Sequence, residues 1–238
     1  MPTIKLSDLD VELYYQDSGI PKLNDQAFTT LVIFHGYSFN SRKLPFLSRK
    51  NSHKYCFLLI DIFHRIVPIA VASHVRVVLV NRRGYAGSTP FTPEETAPFD
   101  PAQGANADVQ DGSAPAPSTR MVAQQYTAFL QQRGIEIARF LAAFIDSENI
   151  PPKSEDGSRA LGGISIMGWS LGNVVTLSML AFANTFDPIL LDKLEPYLRK
   201  VVIYGMCFFD SLPTGIIIIF ANRSSPSCAR LSNTLRSV

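Results

Sequence analysis

One serine in this sequence stands in a setting that makes it a candidate nucleophile. Gly168-Trp169-Ser170-Leu171-Gly172 has the spacing G-x-S-x-G. An apolar run, Ile164–Met167, precedes it, and an apolar segment of helical character, Asn173–Asn184, follows it. A tight strand-to-helix turn forces the residue at its tip into strained backbone angles, and flanking glycines remove side chains that would clash. Gly168, Trp169 and Gly172 are therefore read as the structural frame of the turn, with the Ser170 hydroxyl standing above the sheet. The start of the following helix offers N–H groups and a positive dipole end to a developing oxyanion, which makes Leu171 N–H a candidate donor. A serine that merely caps the helix is the competing reading.

The elements that must position this turn are legible as a pattern. Val11–Tyr15 alternates apolar and polar residues, as a strand with one buried face does, and Asp17–Ser18–Gly19 reads as the turn after it. Thr30–Phe34, ending at His35–Gly36, and Arg76–Val80, ending at Asn81-Arg82-Arg83-Gly84, are short apolar runs that suit buried parallel strands. Val201–Tyr204 is a further strand. Residues 118–150 carry apolar residues at helical spacing, with Ser118 as cap and Pro151–Pro152 beyond the end. Asp187–Pro188 opens another helix, with Leu190, Leu191, Leu194 and Leu198 as its apolar stripe. Residues 91–120, rich in Pro, Ala, Asp and Gln, read as a long surface loop. Strands alternating with helices predict an α/β fold, a mostly parallel sheet flanked by helices.

Composition bounds the rest. At 238 residues and 46% hydrophobic, the chain is expected to form a single domain over residues 1–238. A net charge of +2 gives no electrostatic case for nucleic acid. No apolar run is long enough for an ordinary membrane span, and Met1–Asp10 has no signal-peptide core, so cytoplasmic is the default location. Histidines and cysteines are scattered without ligand spacing, so no metal is read, and phosphate or dinucleotide glycine patterns are absent, so no cofactor is implied.

The chain resembles an alpha/beta hydrolase of the esterase/lipase-like branch, from about Val11 to Tyr204. The residues that carry the resemblance are His35–Gly36, Asn81-Arg82-Arg83-Gly84-Tyr85-Ala86-Gly87-Ser88 and Gly168-Trp169-Ser170-Leu171-Gly172. It implies the alpha/beta-hydrolase fold, and a serine that attacks an ester or related acyl carbon of a small-molecule substrate and forms an acyl-enzyme. It also implies that Tyr37 N–H, in the loop after His35–Gly36, pairs with Leu171 N–H at the oxyanion. His35 itself is read as holding that loop by hydrogen bonds. Serine at the turn counts against the family's aspartate-bearing dehalogenases and epoxide hydrolases.

Three features depart from the family pattern. The family's chain order is Ser, then Asp or Glu, then His, yet His35, His53, His64 and His74 all precede Ser170. Of the later acids, Asp187, Asp192 and Glu195 lie on the leucine-striped helix, and Asp210 is a weak candidate for the triad acid. Residues 42–62 exceed the length a β-to-β crossover needs and carry net charge +4. Residues 206–238 carry net charge +2, and the two segments hold all three cysteines, Cys56, Cys207 and Cys228. Both are read as translated non-coding sequence, with a lineage-specific loop and tail as the rival. With residues 42–62 set aside, the crossover helix falls at Phe63–Ala70 with Pro68 awkward inside it. Ile216–Phe220 reads as an aggregation-prone run rather than a strand, leaving the fold incomplete at its C-terminus and its last strand exposed. The expectation is a serine-type hydrolase, weak or inactive as written. A non-catalytic binding protein on the same fold, or a non-functional fragment, is the alternative.

Overall fold

The computed structural model describes residues 2–6, 8–21, 28–36, 63, 65–99, 119–156, 159–205 and 217–220. The expectations placed on Tyr37, residues 42–62, His53, His64, residues 100–118, Asp210, the three cysteines and most of 206–238 lie outside them.

The strands are β1 (Thr3–Lys5), β2 (Glu12–Asp17), β3 (Thr29–Phe34), β4 (Val75–Val80), β5 (Ser154–Asp156), β6 (Arg159–Leu161), β7 (Ile164–Trp169), β8 (Leu198–Tyr204) and β9 (Ile217–Phe220). The α-helices are α1 (Val67–Ala72), α2 (Pro93–Thr96), α3 (Thr119–Ser147), α4 (Gly172–Ala181) and α5 (Pro188–Leu194). Seven strands form one sheet in the order β1-β2-β4-β3-β7-β8-β9, and β5 and β6 form a separate hairpin. The four central strands, β4, β3, β7 and β8, run parallel. The flanking pairs β1–β2, β2–β4 and β8–β9 are antiparallel.

Period-2 alternation in the central strands explains the layering, because successive side chains point to opposite faces. Ile33 and Val77, with Leu31, Leu79 and Met167, meet Phe63, Val67 and Ala70 on one face. Val32, Phe34, Val78, Val80, Ile164, Ile166, Val201 and Ile203 face the other way. There Ile137, Phe140, Leu141 and Phe144 of α3 and Val175 and Met179 of α4 cover them. Among the described residues no helix is long and apolar enough to cross a membrane.

The structure corrects four expectations. Leu198, expected on the stripe of the helix after Asp187, opens β8 instead, because α5 ends at Leu194. Pro68 is not awkward in its helix: α1 starts at Val67 and Pro68 sits in its first turn, where its missing N–H has no intrahelical partner to lose. Residues 91–99 are not featureless loop. Thr92 caps α2 by accepting from Glu95 N–H, while the Glu95 carboxylate accepts from Thr92 N–H, and Phe91 and Phe99 pack on Phe129 of α3. Ile217–Phe220 is a strand: it pairs antiparallel with β8, Lys200 opposite Phe220 and Ile203 opposite Ile217, so β8 is not the sheet edge.

Candidate active site

The parallel register aligns the ends of the central strands. Phe34 lies opposite Gly168 and Val80, so His35–Gly36, Asn81–Arg82 and Ser170 leave the sheet at the same end. Between β7 and α4, Ser170 has φ +52°. Among the described residues three other non-glycine positions have positive φ: Asp8, His74 and Asn149. Asp, His and Asn are the types that tolerate this region. Ser170 is not one of them, so its conformation is imposed by the turn.

The turn is fastened on both sides. Ser170 N–H donates to Tyr204 O at 2.9 Å, and Asn173 Nδ2 donates to the same carbonyl at 3.0 Å. Asn173 N–H donates to Ser170 O at 3.0 Å, which starts the first turn of α4. Leu171 stands at the helix entry and no side chain caps it. The glycines are required by contact. A Cβ at Gly172 would run into the Phe34 carbonyl, and one at Gly168 would sit 2.7 Å from Thr176 Oγ1. A Cβ at Gly36 would sit 2.9 Å from Ser170 Cβ and 3.3 Å from its Oγ, so the backbone after β3 lies against the serine. Trp169 packs edge-on against Phe63 at 5.7 Å.

A βαβ sheet of this strand order, with a serine forced to positive φ at the turn after β7, decides the architecture. This is the architecture that the resemblance to alpha/beta hydrolases implies.

No protein-family profile matches the chain, and no curated protein matches it. Solved structures of similar fold include a bromoperoxidase from Bacillus anthracis, 16% identical over 86% of this chain and 44% of that one, TM-score 0.37. An epoxide hydrolase from Vigna radiata is 12% identical over 90% and 42%, TM-score 0.37. A candidate aryl esterase from Burkholderia cenocepacia is 21% identical over 76% and 40%, TM-score 0.35. The chain spans less than half the length of these three proteins.

Within the alpha/beta-hydrolase frame the structure brings Ser170, Leu171, Gly36 and His35 to one end of the sheet. His35 is buried. Its Nδ1 lies 2.9 Å from Gly36 O, and Arg82 N–H reaches its Nε2 at 3.4 Å. A carbonyl only accepts and an amide N–H only donates, so the ring is neutral, with its proton on Nδ1. Burial, followed by the neighbouring Arg82 cation, pushes the His35 pKa down to about 4. His74 sits before β4 at the opposite end of the sheet, about 20 Å away at ~3.3 Å per strand residue. Asp187, which opens the helix as expected, caps α5 by accepting from Ile189 N–H at 2.9 Å.

The two arginines after β4 have different kinds of partner. Arg83 is ion-paired, with Glu95 at 2.5 Å and Glu136 at 3.1 Å. Arg82 instead donates to the carbonyls of His35, at 3.1 Å, and Gly36, at 3.2 Å, and to the Tyr85 hydroxyl at 3.0 Å. Sequence reasoning missed Arg82 and Asn173 because their partners lie on other elements. The capping box at Thr92 was available as the pattern Thr-x-x-Glu.

Proposed function

We propose that the chain carries the nucleophile and part of the oxyanion site of a serine-type hydrolase that acts on esters or related acyl substrates. The observation that supports this most is Ser170 at φ +52° with Gly36 packed against it. The hydroxyl attacks the acyl carbon, and the negative charge that develops on the carbonyl oxygen is met by amides at the start of α4, Leu171 N–H first. Tyr37 N–H is the second proposed donor. Leu171 follows Ser170, Val174 lies one helical turn on, and Tyr204 O accepts the Ser170 N–H; all three are exposed, at 38%, 37% and 44%, which favours an apolar acyl or alcohol group.

His35 has both ring nitrogens engaged by the backbone, so it is not available as the general base that a serine hydroxyl needs. This favours slow turnover, with a non-catalytic binding role as the second reading. The test is hydrolysis of p-nitrophenyl butyrate by the purified chain beside Ser170→Ala. A slow rate that disappears in Ser170→Ala supports the proposal. An equal rate in both proteins removes Ser170 as nucleophile. Fast turnover lost on Ser170→Ala would overturn the account of His35.

A further inference from the structure

Arg82 stands outside the functions assigned so far. Burial pushes its guanidinium pKa down, and the group that opposes this is Tyr85 rather than a carboxylate. The Tyr85 ring lies under the guanidinium at 5.0 Å and meets the His35 ring edge-on at 4.2 Å. The cation thus spends its hydrogen bonds on two successive backbone carbonyls, those of His35 and Gly36, and the Tyr85 hydroxyl approaches the second of them at 3.5 Å. A planar guanidinium holds two oxygens in fixed relative positions, which an ammonium on a flexible stem does not.

A trans peptide points its C=O and N–H in opposite directions. A group that pins the His35 carbonyl on one side therefore fixes the Gly36 amide of the same peptide plane on the other. The backbone at Gly36 is the part of this loop that lies against Ser170. We propose that Arg82 is a positioning residue for acyl transfer at Ser170: its fork on the His35 and Gly36 carbonyls holds the Gly36 backbone, and with it the Gly36 amide, against Ser170 where the oxyanion of that reaction forms. The assignment rests on Ser170 being the nucleophile.

The experiment is phosphonylation of the full chain by a fluorophosphonate, followed by intact mass and peptide mapping. In this reaction Ser170 Oγ bonds to phosphorus, the P–F bond breaks, and the hydroxyl proton leaves with fluoride. The phosphoryl oxygen occupies the oxyanion position, so amides aimed there accelerate the step. Rates are taken over a range of reagent concentration, at a temperature where melting curves show each variant folded. Arg82→Met is expected to lower the maximal rate by about 10- to 100-fold, within the range for a weakened oxyanion donor, and to leave the half-saturating concentration unchanged. Arg82→Lys is expected to recover part of the loss, because its ammonium reaches one carbonyl. If Arg82→Met does not fold, Arg82→Lys against the parent carries the test. Parent and variants labelling at equal maximal rates would overturn the assignment alone. No labelling of Ser170 in the parent would sink the hydrolase reading and this assignment together.

Discussion

At the start of β4, Arg76 is 2% exposed and reaches carboxylates on two other parts of the chain. Its Nε donates to Asp17 at 2.9 Å, at the end of β2, and Nη2 donates to Glu148 at 2.6 Å, just past α3. Just beyond the other end of the same strand, Arg82 is held by carbonyls and a phenol. The first arrangement matches charge with charge and ties three elements together. The second holds through neutral oxygens the loop whose Gly36 lies against Ser170, so Arg82 brings no carboxylate to that loop. Arg83, the next residue, keeps the carboxylates Glu95 and Glu136, so the contrast is between Arg76 and Arg82 themselves: one cation is neutralised and the other is not.

Substitutions at the two ends should differ in kind as well as in size. Gly172→Ala is expected to give no soluble folded protein, because its methyl group would collide with the carbonyl that ends β3. Expression yield and far-ultraviolet circular dichroism check this, and a folded variant would show that the elbow end yields more than its packing implies. Arg76→Met is expected next, with a loss of about 3–4 kcal/mol in urea unfolding, because it strands two carboxylates. Asp17 and Glu148 are 20% and 29% exposed and reach water in part, which keeps the loss near the lower end of the buried-pair range. Arg82→Met, which strands no charge, should cost less, and the reverse order would break the contrast.

The elbow end also has a pH signature. Folding holds His35 near pKa 4 against its ordinary 6.5. Between these values the unfolded chain binds a proton that the folded chain does not. Stability that is full above pH 6.5 is therefore lost as pH falls toward 4, by about 3 kcal/mol at most. In His35→Gln, whose amide can donate to Gly36 O and accept from Arg82 N–H, that part of the pH dependence should flatten. Urea midpoints at pH 7, 5.5 and 4.5 read it, and an unchanged slope in the variant would place the titration elsewhere. Smallest of all, Lys193→Ala removes an ion pair with Asp146 that is 35% and 64% exposed. Its effect is expected to stay within about 0.5 kcal/mol and to shrink in salt.

How much of this the sequence disclosed follows from the range of each interaction. The Ser170 turn was legible because glycine spacing, apolar run and helix are contiguous in the chain. The central strands were legible as short apolar runs closed by glycine. Arg76 was not, since its partners lie 59 and 72 residues away and nothing local distinguishes it from a surface arginine. Ile217–Phe220 was misread for a related reason: an apolar run with no alternation looks the same as a buried strand or as an aggregation-prone segment. What separates the two is a neighbour, and β8 is that neighbour. Pro68 was misread through a boundary error of a few residues, which moved a first-turn proline into a helix interior.

The backbone angle at Ser170 has a bearing on how this scaffold can change over generations. A left-handed tip is strained for serine but is tolerated better by aspartate and asparagine. The elbow is therefore a socket whose occupant can be exchanged for a carboxylate without rebuilding the sheet or the helix behind it. Such an exchange would leave the frame of Gly168, Gly172 and Gly36 unchanged and alter the element that attacks, from a hydroxyl that must lose a proton to an oxygen already ionised at neutral pH. On the proposed reading, the attacking group is set at one position, and the glycine frame around it would serve either occupant.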